Sequence, residues 1–156
     1  MNCLQDLLSP QRVLCHIQGG SRKRLFEVVA DTLGREHEGL YAAELVAGML
    51  AREKLGSTAL GDGIAIPHCR LAECEAASGV LITLSTPAEY DTPDGEDVDL
   101  VFALVVPSDA TQEHLNLLAD IARLFSRQDF REALRACRTS EELYTTAINW
   151  EQPQWS

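Results

Sequence analysis

Apolar residues recur along this chain in two different periods. Leu25, Val28, Val29, Thr32 and Leu33 fall three and four positions apart, which predicts an amphipathic helix ending near Gly34 with Ser21 placed to cap it. A second helix is predicted over 41–54, burying Leu45 and Met49 together with Tyr41 and Val46. A third ends near Phe125; Leu115, Leu118, Ile121, Ala122 and Phe125 mark its buried face, and Ser108, Asp109 or Thr111 can cap its start. Phe130, Leu134 and Cys137 mark a short helix, and Leu143, Tyr144 and Ile148 mark the last, which Thr139 and Glu142 open at capping-box spacing. Leu4, Leu7 and Leu8 predict one helical turn before Pro10, and His37 falls in a polar loop, where it is expected to be exposed.

The strand candidates are short and apolar. Residues 13–17 form one, ended by Gly19-Gly20. Ile64-Ala65-Ile66 forms another, and Pro67, which has no N–H for a ladder, is expected to end it. Residues 80–84 are β-branched and apolar and are closed by Pro87. Residues 98–106 are a nearly unbroken run of Val, Leu, Phe and Ala, the best candidate for a central strand, and Pro107 ends it. Pro93-Asp94-Gly95 signals a turn, so 89–92 and the segment after Gly95 are expected to form a loose hairpin. Strands and helices alternate irregularly, which predicts an α/β sandwich. No repeat, linker or low-complexity stretch interrupts the pattern. The expectation is one domain over 1–156, with a core over about 4–148 and a frayed polar tail from Trp150 onward.

The candidate chemistry lies in residues 52–70, R-E-K-L-G-S-T-A-L-G-D-G-I-A-I-P-H-C-R. Gly56, Gly61 and Gly63 let the backbone turn sharply and approach a ligand. His68 then stands at a strand end, where open α/β sheets place ligands. A neutral imidazole keeps one ring nitrogen's lone pair and can act as a covalent nucleophile. Arg52 offers a fork of donors to a phosphoryl group, and Ser57 and Thr58 offer hydroxyls. The spacing alone leaves other readings open. His68 could be a hydrogen-bonded structural residue, the glycines ordinary turn residues, and Arg52 a cation complementing its helix dipole.

Composition narrows the function classes. The chain has 156 residues, 46% hydrophobic and 24% charged, and a net charge of −11. Such acidity opposes binding to nucleic acid and to anionic membrane, and Arg22-Lys23-Arg24 is too short to reverse it and reads as a solvated helix start. No apolar run is long enough to span a bilayer, and no signal peptide is evident, so a cytoplasmic location is expected. The five cysteines include no C-x-x-C and read as reduced thiols, with Cys3, Cys15 and Cys137 as packing residues. The spacing of His68, Cys69 and Cys74 fits none of the usual zinc sites, so no metal is assigned. A hydrolase using Cys69 with His68 is disfavoured, because neighbours in an extended segment point to opposite faces. Asp97 and Asp99 are assigned to loop hydrogen bonding, since carboxylates would repel a phosphoryl group.

The 52–68 stretch resembles the active-site segment of phosphotransferase-system IIA proteins of the fructose/mannitol class, and most closely their nitrogen-regulatory branch, the enzyme IIA-Ntr proteins. The resemblance continues in V-D-L-V-F-A-L-V-V-P (98–107), E-H-L (113–115) and S-E-E-L-Y (140–144), and covers roughly residues 4–148. It implies a mixed sheet with helices on both faces. It implies that His68 carries a phosphoryl group, that His114 sits beside it at the start of a helix, where N–H groups favour an anion, and that Arg52 lines the same pocket. It implies no metal or organic cofactor. The partners it implies are an HPr-like phosphocarrier, an enzyme I homologue supplied by phosphoenolpyruvate, and regulated proteins connected with nitrogen or potassium. Phosphorylation state would then switch target binding. Two other uses of the fold stay open: a sugar-uptake component that passes phosphate to a IIB domain, and a non-phosphorylated binding module. Many relatives have glycine where this chain has Cys69, a difference expected to bear on backbone freedom beside His68.

Overall fold

The computed structural model describes residues 2–37, 40–72, 74–90, 92–109 and 112–150, with the side chain of Glu113 outside that set. Six strands form a mixed sheet: β1 (Val13–Gln18), β2 (Ala59–Gly61), β3 (Ile64–Ala65), β4 (His68–Leu71), β5 (Ser78–Ala88) and β6 (Val98–Pro107). Their order is β1-β5-β6-β3-β2, with β4 also beside β6. β5 runs antiparallel to β6, whereas β3 and β4 run parallel to it. The apolar run predicted as central is β6, and its side chains alternate between two cores. Val101, Ala103 and Val105 join the core beneath α2 (Arg22–Glu36) and α3 (Ala42–Glu53). Leu100, Phe102, Leu104 and Val106 join the core beneath α1 (Leu4–Leu7), α4 (Gln112–Phe125), α5 (Gln128–Ala136) and α6 (Ser140–Asn149). A strand covered on both faces has no reason to alternate apolar with polar, which is why it reads as a continuous run. The fold is the expected mixed sheet with helices on both faces.

Two predicted caps form: the Ser21 hydroxyl accepts from Arg24 N–H and the Thr139 hydroxyl from Glu142 N–H, each at 3.1 Å. Thr111, a suggested cap for α4, lies outside the described residues.

Several boundaries differ from expectation. β3 ends at Ala65, just before Pro67 as expected, but the line resumes beyond the proline. Ile64 faces Leu100 and Ala65 faces Val101, and beyond the proline His68 faces Leu104 and Cys69 faces Val105, in the same register. Proline removes a donor but keeps its acceptor, and the Pro67 carbonyl takes the Leu104 N–H at 2.9 Å. His68 therefore follows β3 and opens β4. Pro87 lies inside β5, at the irregularity between the Thr83–Leu100 and Ala88–Val98 pairs, where a missing ladder donor is tolerated. The hairpin is β5–β6 itself, and Pro93-Asp94-Gly95 turns within its connection.

Trp150 is not part of a frayed tail. Its ring packs on Phe130 with centroids 5.4 Å apart, and its carbonyl accepts from Asn2 Nδ2 at 2.7 Å. Residues 151–156 lie outside the described set. His37 is half-buried, not exposed, and its Nε2 has no hydrogen-bond partner among the described residues.

Candidate functional site

Three elements deliver the side chains. Arg52 comes from the last turn of α3, His68 from the first residue of β4, and His114 from the first turn of α4. Gly48 lets α3 lie close on β4, because a Cβ there would stand 3.3 Å from the Cys69 sulfur. Together these elements surround a cavity of about 590 Å³. Its polar side chains are Arg52, His68, Arg70 and His114, and Leu104, Val106 and Leu118 form apolar walls.

The hydrogen bonds of His68 fix its tautomer. Arg52 Nε donates to His68 Nε2 at 3.3 Å. An arginine is never an acceptor, so Nε2 carries the lone pair. The proton is then on Nδ1, which donates to the Ile66 carbonyl at 2.8 Å. Burial, above all, lowers the pKa of this imidazole; the charges of Arg52 and Arg70 add to the effect, and the Ile66 bond opposes it. The ring is neutral near pH 7. Arg52 is itself held, since its Nη1 donates to the Gly56 carbonyl at 2.8 Å. A neutral, oriented nucleophilic nitrogen beside a fixed guanidinium is suited to covalent attack on an anionic centre.

The cavity gathers Arg52, His68 and His114, but not the two expected hydroxyls. Thr58 is buried, and its hydroxyl donates to the Glu53 carboxylate. The Ser57 hydroxyl oxygen accepts from Ala59 N–H at 3.1 Å, and Ser57 does not line the cavity. The loop after α3 folds against Glu53, and the side chain it presents to the cavity is Leu55. Cys69 brings no strain to the strand: among the described non-glycine residues only His16 and Asp62 have positive φ. Its thiol is buried, and burial pushes its pKa up to about 12. Asp99 accepts from Arg135 at 2.9 Å, at the opposite end of β6 from Leu104, the partner of His68.

Glu53 is a residue of this site that carries its own mark in the sequence. It follows Leu45 and Met49 at four-residue spacing, which places a carboxylate on the buried stripe of the helix. Arg22 is likewise not simply solvated, because its guanidinium lies 3.6 Å from Glu53. Among the described residues no three His, Cys, Asp or Glu side chains converge as a metal site requires, and no helix is long and apolar enough to cross a membrane.

Residues 6–149 match the family described as phosphoenolpyruvate-dependent sugar phosphotransferase system, EIIA 2. A nitrogen regulatory protein of Pseudomonas aeruginosa is 43% identical over 151 residues, 97% of this chain and 98% of that protein. The crystal structure of nitrogen regulatory protein IIA-Ntr from Neisseria meningitidis superposes with a TM-score of 0.86 at 40% identity, covering 93% of this chain and 99% of that one. IIA mannitol from Escherichia coli, at 18% identity, shares the fold with a TM-score of 0.73 over 89% of this chain and 97% of its own. With the sheet, the helix layers and the sequence in agreement, this chain belongs to the EIIA type 2 family of the phosphotransferase system, on its nitrogen-regulatory IIA-Ntr branch.

Proposed function

We propose that this chain is a phosphorelay protein. His68 accepts a phosphoryl group from the phosphohistidine of an HPr-like carrier, itself charged from phosphoenolpyruvate through an enzyme I homologue in the cytoplasm. The observation that carries the reading is the fixed His68 ring, with Nδ1 held by Ile66 and the Nε2 lone pair beside Arg52. In the transfer, Nε2 attacks phosphorus in line. The Nε2–P bond forms as the donor's N–P bond breaks, and the electron pair of that bond leaves with the donor imidazole. Beyond the bond that His68 itself forms, positioning and charge stabilisation dominate. Arg52 stabilises the charge on the phosphoryl oxygens, and His114, across the cavity, donates to one of them. No metal or organic cofactor enters this scheme.

Leu55 and Leu115 are 84% and 50% exposed and both line the cavity. They form an apolar landing for the carrier, which suits a partner that must dock and leave. Phosphorylation then adds negative charge at this face and changes which regulated proteins bind there, in nitrogen or potassium control. The family's description as a sugar phosphotransferase component favours one second reading, transfer onward to a IIB domain.

The test is intact mass after incubation with phosphoenolpyruvate, the enzyme I homologue and the carrier, with His68→Ala alongside. An acid-labile single-phosphate adduct on the parent alone supports the reading. Its absence, with the carrier shown to be phosphorylated, favours a binding module. Loss of the adduct on adding a IIB domain favours the transport reading.

A further inference from the structure

We propose that Glu53 is a positioning residue for the phosphoryl acceptor, acting through Thr58 and Ile66 on one side of His68 and through Arg52 on the other. This inference rests on His68 being that acceptor. The Glu53 side chain is wholly buried. It accepts from the Thr58 N–H at 3.1 Å, from the Thr58 hydroxyl, and from the Tyr90 hydroxyl at 2.6 Å. Arg22 lies near it as counter-charge and also stands over the Tyr90 ring, 5.5 Å from its centroid. A carboxylate on the apolar stripe of α3 is costly to bury, and an aliphatic side chain would fill the same position without that cost. What the carboxylate does, and an aliphatic group cannot, is clamp the loop that follows the helix.

That clamp leads to both nitrogens of His68. The Thr58 carbonyl, held in place from its own N–H and hydroxyl, accepts the Ile66 N–H at 3.1 Å. The Ile66 carbonyl then receives Nδ1–H of His68 at 2.8 Å. In the other direction, the closed loop presents the Gly56 carbonyl to Arg52 Nη1, and Arg52 Nε meets Nε2 of His68. One buried carboxylate thus sets the ring's tautomer and the guanidinium beside its lone pair, without touching the phosphoryl group. Arg22 and Tyr90 anchor that carboxylate to α2 and to the β5–β6 connection.

The experiment compares Glu53→Gln, Thr58→Val and Thr58→Ser with the parent, each shown to be folded by its thermal unfolding transition. Two quantities are read: the single-turnover rate of phosphoryl transfer from the phosphorylated carrier, and the His68 ring nitrogen shifts in the unphosphorylated protein by proton–nitrogen NMR. Glu53→Gln and Thr58→Val are expected to slow transfer about tenfold or more with the carrier's KM unchanged, and to turn the single Nδ1–H tautomer into a mixture. Thr58→Ser, which keeps the hydroxyl, restores both. Folded variants with the parent's rate and the parent's tautomer overturn the proposal. If Glu53→Gln does not fold, Thr58→Val decides alone. If the parent itself takes no phosphoryl group from a charged carrier, the phosphorelay reading fails, and the NMR comparison still decides whether Glu53 orders the ring.

Discussion

Arg52 donates to the same nitrogen of His68, Nε2, that the Ile66 bond leaves unprotonated. In the resting site, therefore, the guanidinium occupies the lone pair needed for attack. In the transfer proposed above, it moves onto the phosphoryl oxygens as the donor enters, exchanging a weak bond to a neutral ring for charge-assisted bonds to an anion. The contact orients the ring and keeps the cation within reach.

Arg52→Ala is expected to slow phosphoryl transfer to His68 by about a hundredfold, the scale of losing one charge-stabilising group. Arg52→Lys should recover little of it. An ammonium cannot hold the Gly56 carbonyl and Nε2 in one plane, as the guanidinium fork does. Rapid-quench transfer kinetics on both variants check this, and a lysine variant near the parent's rate would show that charge alone matters.

Burial lowers the His68 pKa below its ordinary 6.5. The acid limb of the transfer rate is then expected to lie below that value. The sign for stability follows from the same shift. Between the folded and unfolded pKa values the unfolded chain binds more protons. The contribution of His68 to stability is therefore complete above 6.5 and is lost as pH falls from there through the folded value. An NMR titration of His68 measures the midpoint directly, and a value at or above 6.5 contradicts the prediction.

Cys69 adjoins His68, yet its thiol is buried and pushed up to about 12. Thiolate is the reactive form, so this sulfur is expected to resist peroxide and disulfide reagents in the folded protein. Equal transfer rates before and after mild peroxide treatment, with Cys69 found as free thiol by mass mapping, are the expected result. Rapid modification of Cys69 would show that the strand opens beside His68.

Leu55→Asp and Leu115→Asp test the apolar landing. Both side chains are exposed, so unfolding should change little. The KM for the phosphorylated carrier is expected to rise about tenfold, with the maximal transfer rate retained. A fall in the maximal rate at unchanged KM would move these leucines from docking to chemistry.

Much of this molecule is legible in the chain itself, for physical reasons that differ from place to place. The run at 98–106 reads as a central strand because both faces of β6 are covered, and Ser21 and Thr139 announce helix starts because their hydroxyls complete unpaired N–H groups. Pro67 marks the end of β3, but Pro87 misleads. Pro67 and Pro87 each remove one donor, but whether a strand line stops depends on what the neighbouring strand needs there, and that is a property of the pairing. Thr58 looks like a phosphoryl ligand because hydroxyl and spacing are right, but Glu53 claims that hydroxyl, and its place on the buried stripe with Leu45 and Met49 does not say which group it will hold. Trp150 looks terminal until Phe130 and Asn2, from distant parts of the chain, are brought to it.

The unbroken register on either side of Pro67 makes the sheet a ruler for the reacting nitrogen. His68 is located by counting residues from Ile64 along β6, and the count is the same on both sides of the proline. Deleting or inserting one residue between Ile66 and His68 would carry every following side chain to the opposite layer. The imidazole would then enter a core, and the Cys69 position would face the cavity. Length variation in this family should therefore be absorbed outside this segment, in connections such as 89–97, where no strand keeps the count.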